Sequence, residues 1–137
     1  MFKRNGTAVA ALLVLSFVLI APAYAHHSAS SEYDVNRTIQ VTGVMTQMEW
    51  INPHAEMHMD VKNADGTVTP WVISFAGLSK LRLAGMNRQT LSVGTKYVVV
   101  GNPGRNGLHK LLINKLTFPD GHVFQMGQDS IREGAQQ

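Results

Sequence analysis

The stretch HAEMHMDV, residues 54–61, is the clearest strand pattern in the chain, because polar and apolar side chains alternate along it without a break. Successive residues of a β-strand point to opposite faces of the sheet. The two faces would carry Ala55, Met57, Met59 and Val61 on one side and His54, Glu56, His58 and Asp60 on the other. The stretch therefore predicts a half-buried strand with an apolar inner face and a polar outer face that bears two histidines.

Further strand patterns lie on both sides of this stretch. Residues 39–50 form an earlier strand whose alternation shifts near Gly43, and a shift at a glycine indicates a bulge. Asn63-Ala64-Asp65-Gly66 predicts a hairpin turn into a strand over 67–75, where Pro70 favours a sheet edge or a bulge. The later elements are a short helix over 78–84, strands over 96–101 and 111–118, and a short segment over 123–126.

The order of three strands, a helix and two strands predicts a mainly β fold. In a domain of this size it favours a small five-stranded Greek-key barrel of the oligonucleotide/oligosaccharide-binding (OB) type, with the helix between strands 3 and 4. A bulge in the first strand fits this interpretation, because that strand must bend to join both sides of a barrel. A β-sandwich is the alternative, and neither fold determines a function.

The N-terminal segment has the features of a secretory signal peptide. Lys3 and Arg4 precede an apolar run over 8–20, and Ala23-Tyr24-Ala25 is a small-x-small cleavage site. The run is shorter than the roughly 20 residues that span a bilayer, which argues against a retained anchor. The sequence predicts a signal peptide over 1–25, an N-terminal tail over 26–37, a barrel domain over 38–127 and a flexible C-terminal tail over 128–137. After cleavage between Ala25 and His26, the protein would be periplasmic or secreted, with no stable membrane insertion.

Composition excludes several classes of function. The 137 residues contain no cysteine, which excludes disulfides and thiolate chemistry. Of the 12 Lys and Arg residues, Lys3 and Arg4 would leave with the signal peptide, so that the exported chain would be nearly balanced against 9 Asp and Glu. We therefore expect no nucleic-acid partner. The acids lie mainly before residue 66 and the cations after it, which favours cation binding by the first half if the acids share one face.

Cleavage after Ala25 would make His26 the first residue of the working protein. A free α-amine and the Nδ1 atom of the same histidine chelate a metal, and one further imidazole completes a three-nitrogen set that suits copper. His54 is the candidate for that imidazole, and His27 and His58 are auxiliary candidates. His54 and His58 lie about 13 Å apart along a strand and cannot share one ion, whereas Glu56 and His58 can. The alternatives are a polar tail left by signal peptidase and a solvated strand face.

A metal-free binding module is the second hypothesis for function. Trp50, Trp71 and Arg105 would then form a surface for an anionic ligand or a periplasmic protein partner. The chain lacks GxSxG, HExxH, P-loop and Cys-x-x-Cys motifs, so that an enzymatic function has no motif to support it. The six methionines of the predicted mature chain are best explained as core residues, although thioethers also bind Cu(I).

Several segments of the chain resemble a family of small exported bacterial proteins of unknown function. They are AHHS (25–28), IQVTGVMTQMEWINPHAEMHMDV (39–61), ADG (64–66), LSVGTKYVVVG (91–101) and LTFPDG (116–121). The family has a mature AHHS start and a V-E-W-x-N-P-H motif, for which this chain has Met48-Glu49-Trp50 followed by Asn52-Pro53-His54. The resemblance implies no activity, but it implies that the paired histidines and the NPH histidine belong to one recurring pattern.

Overall fold

The structure, a computed structural model, describes residues 29–126. The predicted signal peptide, His26, His27 and the predicted C-terminal tail lie outside the described residues. The elements are α1 (Ala29–Glu32), β1 (Ile39–Glu49), β2 (Glu56–Lys62), β3 (Val68–Ser74), α2 (Leu78–Leu83), β4 (Lys96–Pro103), β5 (Lys110–Thr117) and β6 (Val123–Gln125). Over the described range, no helix combines the length and the apolar character needed to span a membrane.

Strands β1 to β5 form a closed barrel. The hydrogen-bonded order is β3-β2-β1-β4-β5-β6, and a further pairing joins β3 to β5. This closing pair is parallel, at Val72–Ser74 against Lys110–Leu112, whereas the other strand pairs are antiparallel. The short helix α2 lies between β3 and β4. The prediction of a five-stranded OB-type barrel is therefore confirmed, with β6 as an addition at the edge of β5.

The barrel interior is filled by the inward-facing residues of the strands. On β2, Met57 and Met59 are fully buried, as the alternation of residues 54–61 predicts. The buried cluster also includes Met45, Ile73, Phe75, Leu81, Tyr97, Val99, Leu111, Ile113 and Leu116. Methionine is unbranched and fills irregular gaps, which suits the tapering space inside a small barrel.

Strand β1 contains a bulge that changes which residues face the core. Before it, Val41, Gly43 and Met45 are buried, and after it Met48 pairs with Met57 and packs against the core. The sequence pattern predicted this irregularity near Gly43. It lies a few residues later, between Met45 and Gln47. One extra residue in a strand shifts every later side chain to the other face.

The segment before β1 packs against the barrel. Tyr33, which follows α1, has only 5% of its surface exposed and forms a bridge with Gly104. The backbone N–H of Asp34 donates to the carbonyl of Pro103 at 2.9 Å, and the N–H of Arg105 donates to the carbonyl of Glu32 at 2.9 Å. The part of the predicted tail that the structure describes is therefore joined to the turn between β4 and β5.

Candidate metal centre

Two carboxylates and one imidazole come together on the outer face of β1 and β2. Glu56 and His58 face outward because their neighbours Met57 and Met59 face the core. Glu49 lies directly opposite Glu56 in the antiparallel pairing of β1 with β2. Without the bulge after Met45, Glu49 would share the inward orientation of Met45, so that the bulge supplies the second carboxylate.

The three side chains are close enough to share one ion. One ligand atom from each of Glu49, Glu56 and His58 lies within 4.8 Å of the other two. The Nε2 atom of His58 lies 3.2 Å from Oε1 of Glu49. Two atoms bound about 2.1 Å from one ion at tetrahedral to right angles are separated by about 3.0–3.4 Å. The separation between His58 and Glu49 therefore suits adjacent positions around a metal.

The Nε2 atom of His58 lacks a hydrogen-bond partner. The side chain of His58 keeps 32% of its surface exposed, but this nitrogen is shielded from solvent. Its contact with Glu49 is short enough for an ion pair but does not have the geometry of a hydrogen bond. Gln47 donates instead to the same oxygen of Glu49 through its Nε2 at 3.0 Å. A shielded nitrogen without a hydrogen bond costs free energy, and a cation between the three side chains would remove that cost.

This set of ligands suits divalent metals of intermediate softness. Imidazole suits zinc, copper, iron and nickel, and carboxylates also suit manganese and magnesium. Three protein ligands leave at least one position open in a four-coordinate site, which a further protein group or water can fill. The cluster can therefore hold an ion and still accept another ligand.

His54 lies just before β2 and is not a member of this cluster. Its side chain is exposed, and Nδ1 lies 3.2 Å from the backbone carbonyl oxygen of Phe75. A carbonyl only accepts, so that this contact requires a proton on Nδ1 and leaves the Nε2 lone pair directed elsewhere. Metal-binding histidines are commonly oriented in this way by the ring nitrogen that does not bind. The Asn52-Pro53 bond that precedes His54 is cis.

The segment that follows the predicted mature N-terminus lies beside this face. The Tyr33 hydroxyl forms a 2.7 Å hydrogen bond with the Ser74 hydroxyl, and Ser74 is paired with Glu56 across β2 and β3. Burial raises the pKa of Tyr33, the hydrogen bond with Ser74 opposes this, and the charges of Glu32 and Glu56 raise the pKa further. Tyr33 therefore connects the N-terminal segment to the strand next to Glu56.

Two further contacts hold the same segment in place. The Lys110 ammonium group lies 2.6 Å from a carboxylate oxygen of Glu32, and this contact raises the pKa of Lys110. The Arg105 Nε donates to the carbonyl of Ser30 at 3.0 Å. The structure thus fixes the chain from Ser30 onward, whereas His26 and His27 lie outside the described residues.

The metal-free hypothesis assigned Trp50, Trp71 and Arg105 to one surface, but these residues line two separate pockets. Trp71 and Arg105 line one cleft, together with Arg37 and His109. Trp50 lies in another pocket, where the guanidinium of Arg88 is 5.8 Å from the centre of its ring. The expected single surface of Trp50, Trp71 and Arg105 is therefore divided.

A comparison with protein families assigns the chain to a family. The profile of a family of unknown function (DUF6152) matches residues 14–112, more than half of the chain. The chain belongs to this family. The resemblance to a family of unknown function is thereby confirmed, and no curated protein matches the chain.

A solved structure with a similar fold is the dimeric N-terminal domain of PriB protein from Thermoanaerobacter tencongensis. It is 20% identical in sequence, with a TM-score of 0.46, and the match covers 61% of this chain and 96% of that one. The fold of this DUF6152 member is assigned from the strand order and pairing of the chain itself.

Sequence reasoning identified part of this site and missed another part. It singled out His58 and noted that Glu56 could share an ion with it, but it did not select Glu49. The signal for Glu49 was present in the change of alternation between Met45 and Met48, because that change reverses the orientation of the residues after it.

Proposed function

We propose that this protein is an exported binding protein for a divalent transition metal, with copper favoured. Glu49, Glu56 and His58 provide the ligands on the barrel surface. The single observation that carries the proposal is the His58 Nε2 atom, which is shielded, has no hydrogen-bond partner and lies 3.2 Å from a carboxylate oxygen of Glu49.

The mature N-terminus supplies the nitrogen ligands that favour copper. Two residues, His27 and Ser28, lie between His26 and Ala29, and the three Cα–Cα steps between them span at most about 11 Å when extended. Tyr33 is joined to Ser74 and Glu32 to Lys110, so that this part of the chain is held beside the strand next to Glu56. In this proposal the α-amine and imidazole of His26 add to the ligands of the cluster. An amine and two imidazoles bind Cu(II) more tightly than the other common divalent ions.

His27 and His54 are auxiliary in this proposal. His27 competes with His26 for the same α-amine, and His54 precedes Glu56 by two residues on the same face of the chain. Because the Nδ1 atom of His54 contacts the carbonyl of Phe75, its Nε2 is the atom free to bind. His54 is therefore positioned to receive or release an ion at the edge of the site.

The function is storage, sensing or transfer of the ion in the periplasm or outside the cell. The support for export is the signal-peptide pattern of residues 1–25, and the support for cation capture is the acidic outer face with Glu49, Glu56 and Asp60. The same acids would repel phosphates, which supports the expectation that nucleic acid is not a partner.

The test is a calorimetric titration with Cu(II) and with Zn(II) of protein that begins at His26. We expect one ion per chain and at least a tenfold weaker binding after Glu56→Gln or His58→Asn. Asp60→Asn is the matched control, because Asp60 lies on the same strand face but outside the cluster. Equal binding by all four proteins, or no binding by the unmodified protein, would contradict the proposal.

A second pair of proteins separates the N-terminal ligands from the cluster. One added glycine before His26 moves the α-amine away from its imidazole without altering the barrel. We expect this addition to weaken Cu(II) binding more than Zn(II) binding. If the addition has no effect on either ion, the cluster binds metal without the N-terminus.

A further inference from the structure

A second site lies at the end of the barrel where β1 begins and β4 ends. It is a cleft of about 440 Å³, within the size range of small-molecule sites. Its walls are Asp34 and Arg37 from the N-terminal segment, Trp71 from β3, and the turn between β4 and β5 that includes Arg105 and His109. None of the residues of the proposed metal centre lines it.

The cleft contains an aromatic wall. The rings of Trp71 and His109 are 5.3 Å apart between centroids and inclined by 49°. Trp71 is half-buried and packs against the barrel core, which fixes the position of its ring. A flat ring of a ligand can stack against such a wall, since aromatic pairs favour offset or inclined arrangements at this distance.

The cleft also contains two arginines without an acidic partner. Within residues 29–126, neither Arg37 nor Arg105 forms an ion pair with a carboxylate. The carboxylate of Asp34, which also lines the cleft, accepts instead from the backbone N–H of Asn36 at 3.2 Å. Two guanidinium groups beside an aromatic wall favour a carboxylate or phosphate group, which they bind through paired hydrogen bonds.

The turn that carries Arg105 has the backbone conformation of a regular hairpin turn. Asn106 and Gly107 have φ angles of 60° and 72°, and the Leu108 N–H lies 3.4 Å from the carbonyl oxygen of Arg105. These are the features of a type I′ hairpin turn, which Asn-Gly favours. Asn102 and Pro103, which precede this turn, are buried residues of β4. The cleft is therefore preformed.

We propose that this cleft binds a small organic anion whose flat ring stacks on Trp71 and whose acidic group is held by Arg37 and Arg105. This site is independent of the proposed metal function. It deepens the metal-free hypothesis by assigning Trp71 and Arg105 to one ligand, adding Arg37 and His109, and leaving Trp50 out.

The experiment measures Trp71 fluorescence in a Trp50→Phe protein, kept in EDTA so that the metal centre plays no part. Phenyl phosphate and benzoate combine a ring with an anion, inorganic phosphate provides the anion alone, and benzyl alcohol provides the ring alone. We expect saturable quenching by the two ring anions, at least tenfold weaker binding of the other two probes, and shifts of the backbone amides of residues 107–109 in NMR spectra.

The variant Arg37→Gln should weaken phenyl phosphate binding by about tenfold or more, in line with loss of a charged hydrogen bond. Arg37 is substituted rather than Arg105, because Arg105 also holds the N-terminal segment through the carbonyl of Ser30 and its loss would disturb that segment. Arg88→Gln is the matched control, since Arg88 lies beside the other tryptophan. The proposal is wrong if no ring anion binds, if inorganic phosphate binds as tightly as phenyl phosphate, or if Arg88→Gln weakens binding as much as Arg37→Gln.

Discussion

Glu49 and Glu56 lie directly opposite each other on neighbouring strands, with both carboxylates on the outer face of the barrel. Like charges at directly opposite positions of an antiparallel pair destabilise a sheet. The arrangement is therefore unfavourable in the absence of a cation and becomes favourable when a metal lies between the two carboxylates and His58.

Replacement of Glu56 by glutamine should thus have opposite effects in the absence and the presence of metal. Without metal, we expect the free energy of unfolding to stay equal or rise by about 0.2–1 kcal/mol, because a cross-strand repulsion is removed. With Zn(II) at a hundred times the dissociation constant, the unmodified protein should gain about 2.7 kcal/mol, and the variant should gain much less. Thermal unfolding with and without Zn(II) measures both effects, and an equal gain in the two proteins would refute the assignment of Glu56.

The bond between Tyr33 and Ser74 should contribute to stability as well as to the position of the N-terminal segment. Tyr33→Phe removes a 2.7 Å hydrogen bond and leaves the buried Ser74 hydroxyl without this partner. We expect the free energy of unfolding to fall by about 1 kcal/mol. Urea unfolding measures the change. No change in the unfolding midpoint would show that this hydrogen bond does not stabilise the folded barrel.

The titration of Tyr33 and Lys110 should make the protein less stable at alkaline pH. The pKa of Tyr33 is raised above 10.0 by burial, and that of Lys110 is raised above 10.5 by Glu32. A raised pKa means that the folded state binds the proton more tightly. The stabilisation is therefore complete below the unfolded-state pKa and is lost as pH rises through the higher folded-state value.

We expect the free energy of unfolding to decrease above about pH 10, and Tyr33→Phe to make that decrease smaller. Lys110→Gln should remove a separate part of it. Urea unfolding at intervals between pH 8 and 11 measures the slope. If Tyr33→Phe leaves the slope unchanged, the tyrosine hydroxyl does not titrate differently in the folded protein.

Gly101 should be required for the close approach of β4 and β5. It is buried at the irregularity between Val100 and Gly101, and a Cβ atom there would collide with the backbone carbonyl of Leu112. We expect Gly101→Ala to lower the free energy of unfolding by about 1–3 kcal/mol. Leu83→Ala is the control, because Leu83 is 89% exposed and should change stability by less than about 0.5 kcal/mol. Equal effects of the two substitutions would contradict the packing described for Gly101.

The barrel could be predicted from the sequence because its strands are patterned by local alternation. Residues 54–61 show this best, since Met57 and Met59 are fully buried and their neighbours Glu56, His58 and Asp60 face outward. Pro70 was predicted to lie at an edge or a bulge, and it lies in the part of β3 that precedes the pairing with β5.

The candidate site could be predicted only in part because it depends on contacts between distant segments. Glu49 reaches the site through a bulge whose exact position the alternation did not define. Tyr33 forms its hydrogen bond with Ser74, which lies 41 positions away in the sequence. Because the segment around Tyr33 is polar, its local composition did not predict that Tyr33 is buried. Trp50 and Trp71 line separate pockets, and no local sequence pattern indicates which tryptophan lines which pocket.

The most direct measurement is anomalous X-ray diffraction from crystals of protein that begins at His26, grown with Cu(II) and, separately, with Zn(II). We expect an anomalous peak within bonding distance of the Glu56 carboxylate and of Nε2 of His58, with Glu49 in the same coordination sphere. A well-defined metal bound elsewhere, or no metal at a concentration that saturates the protein in solution, would contradict it.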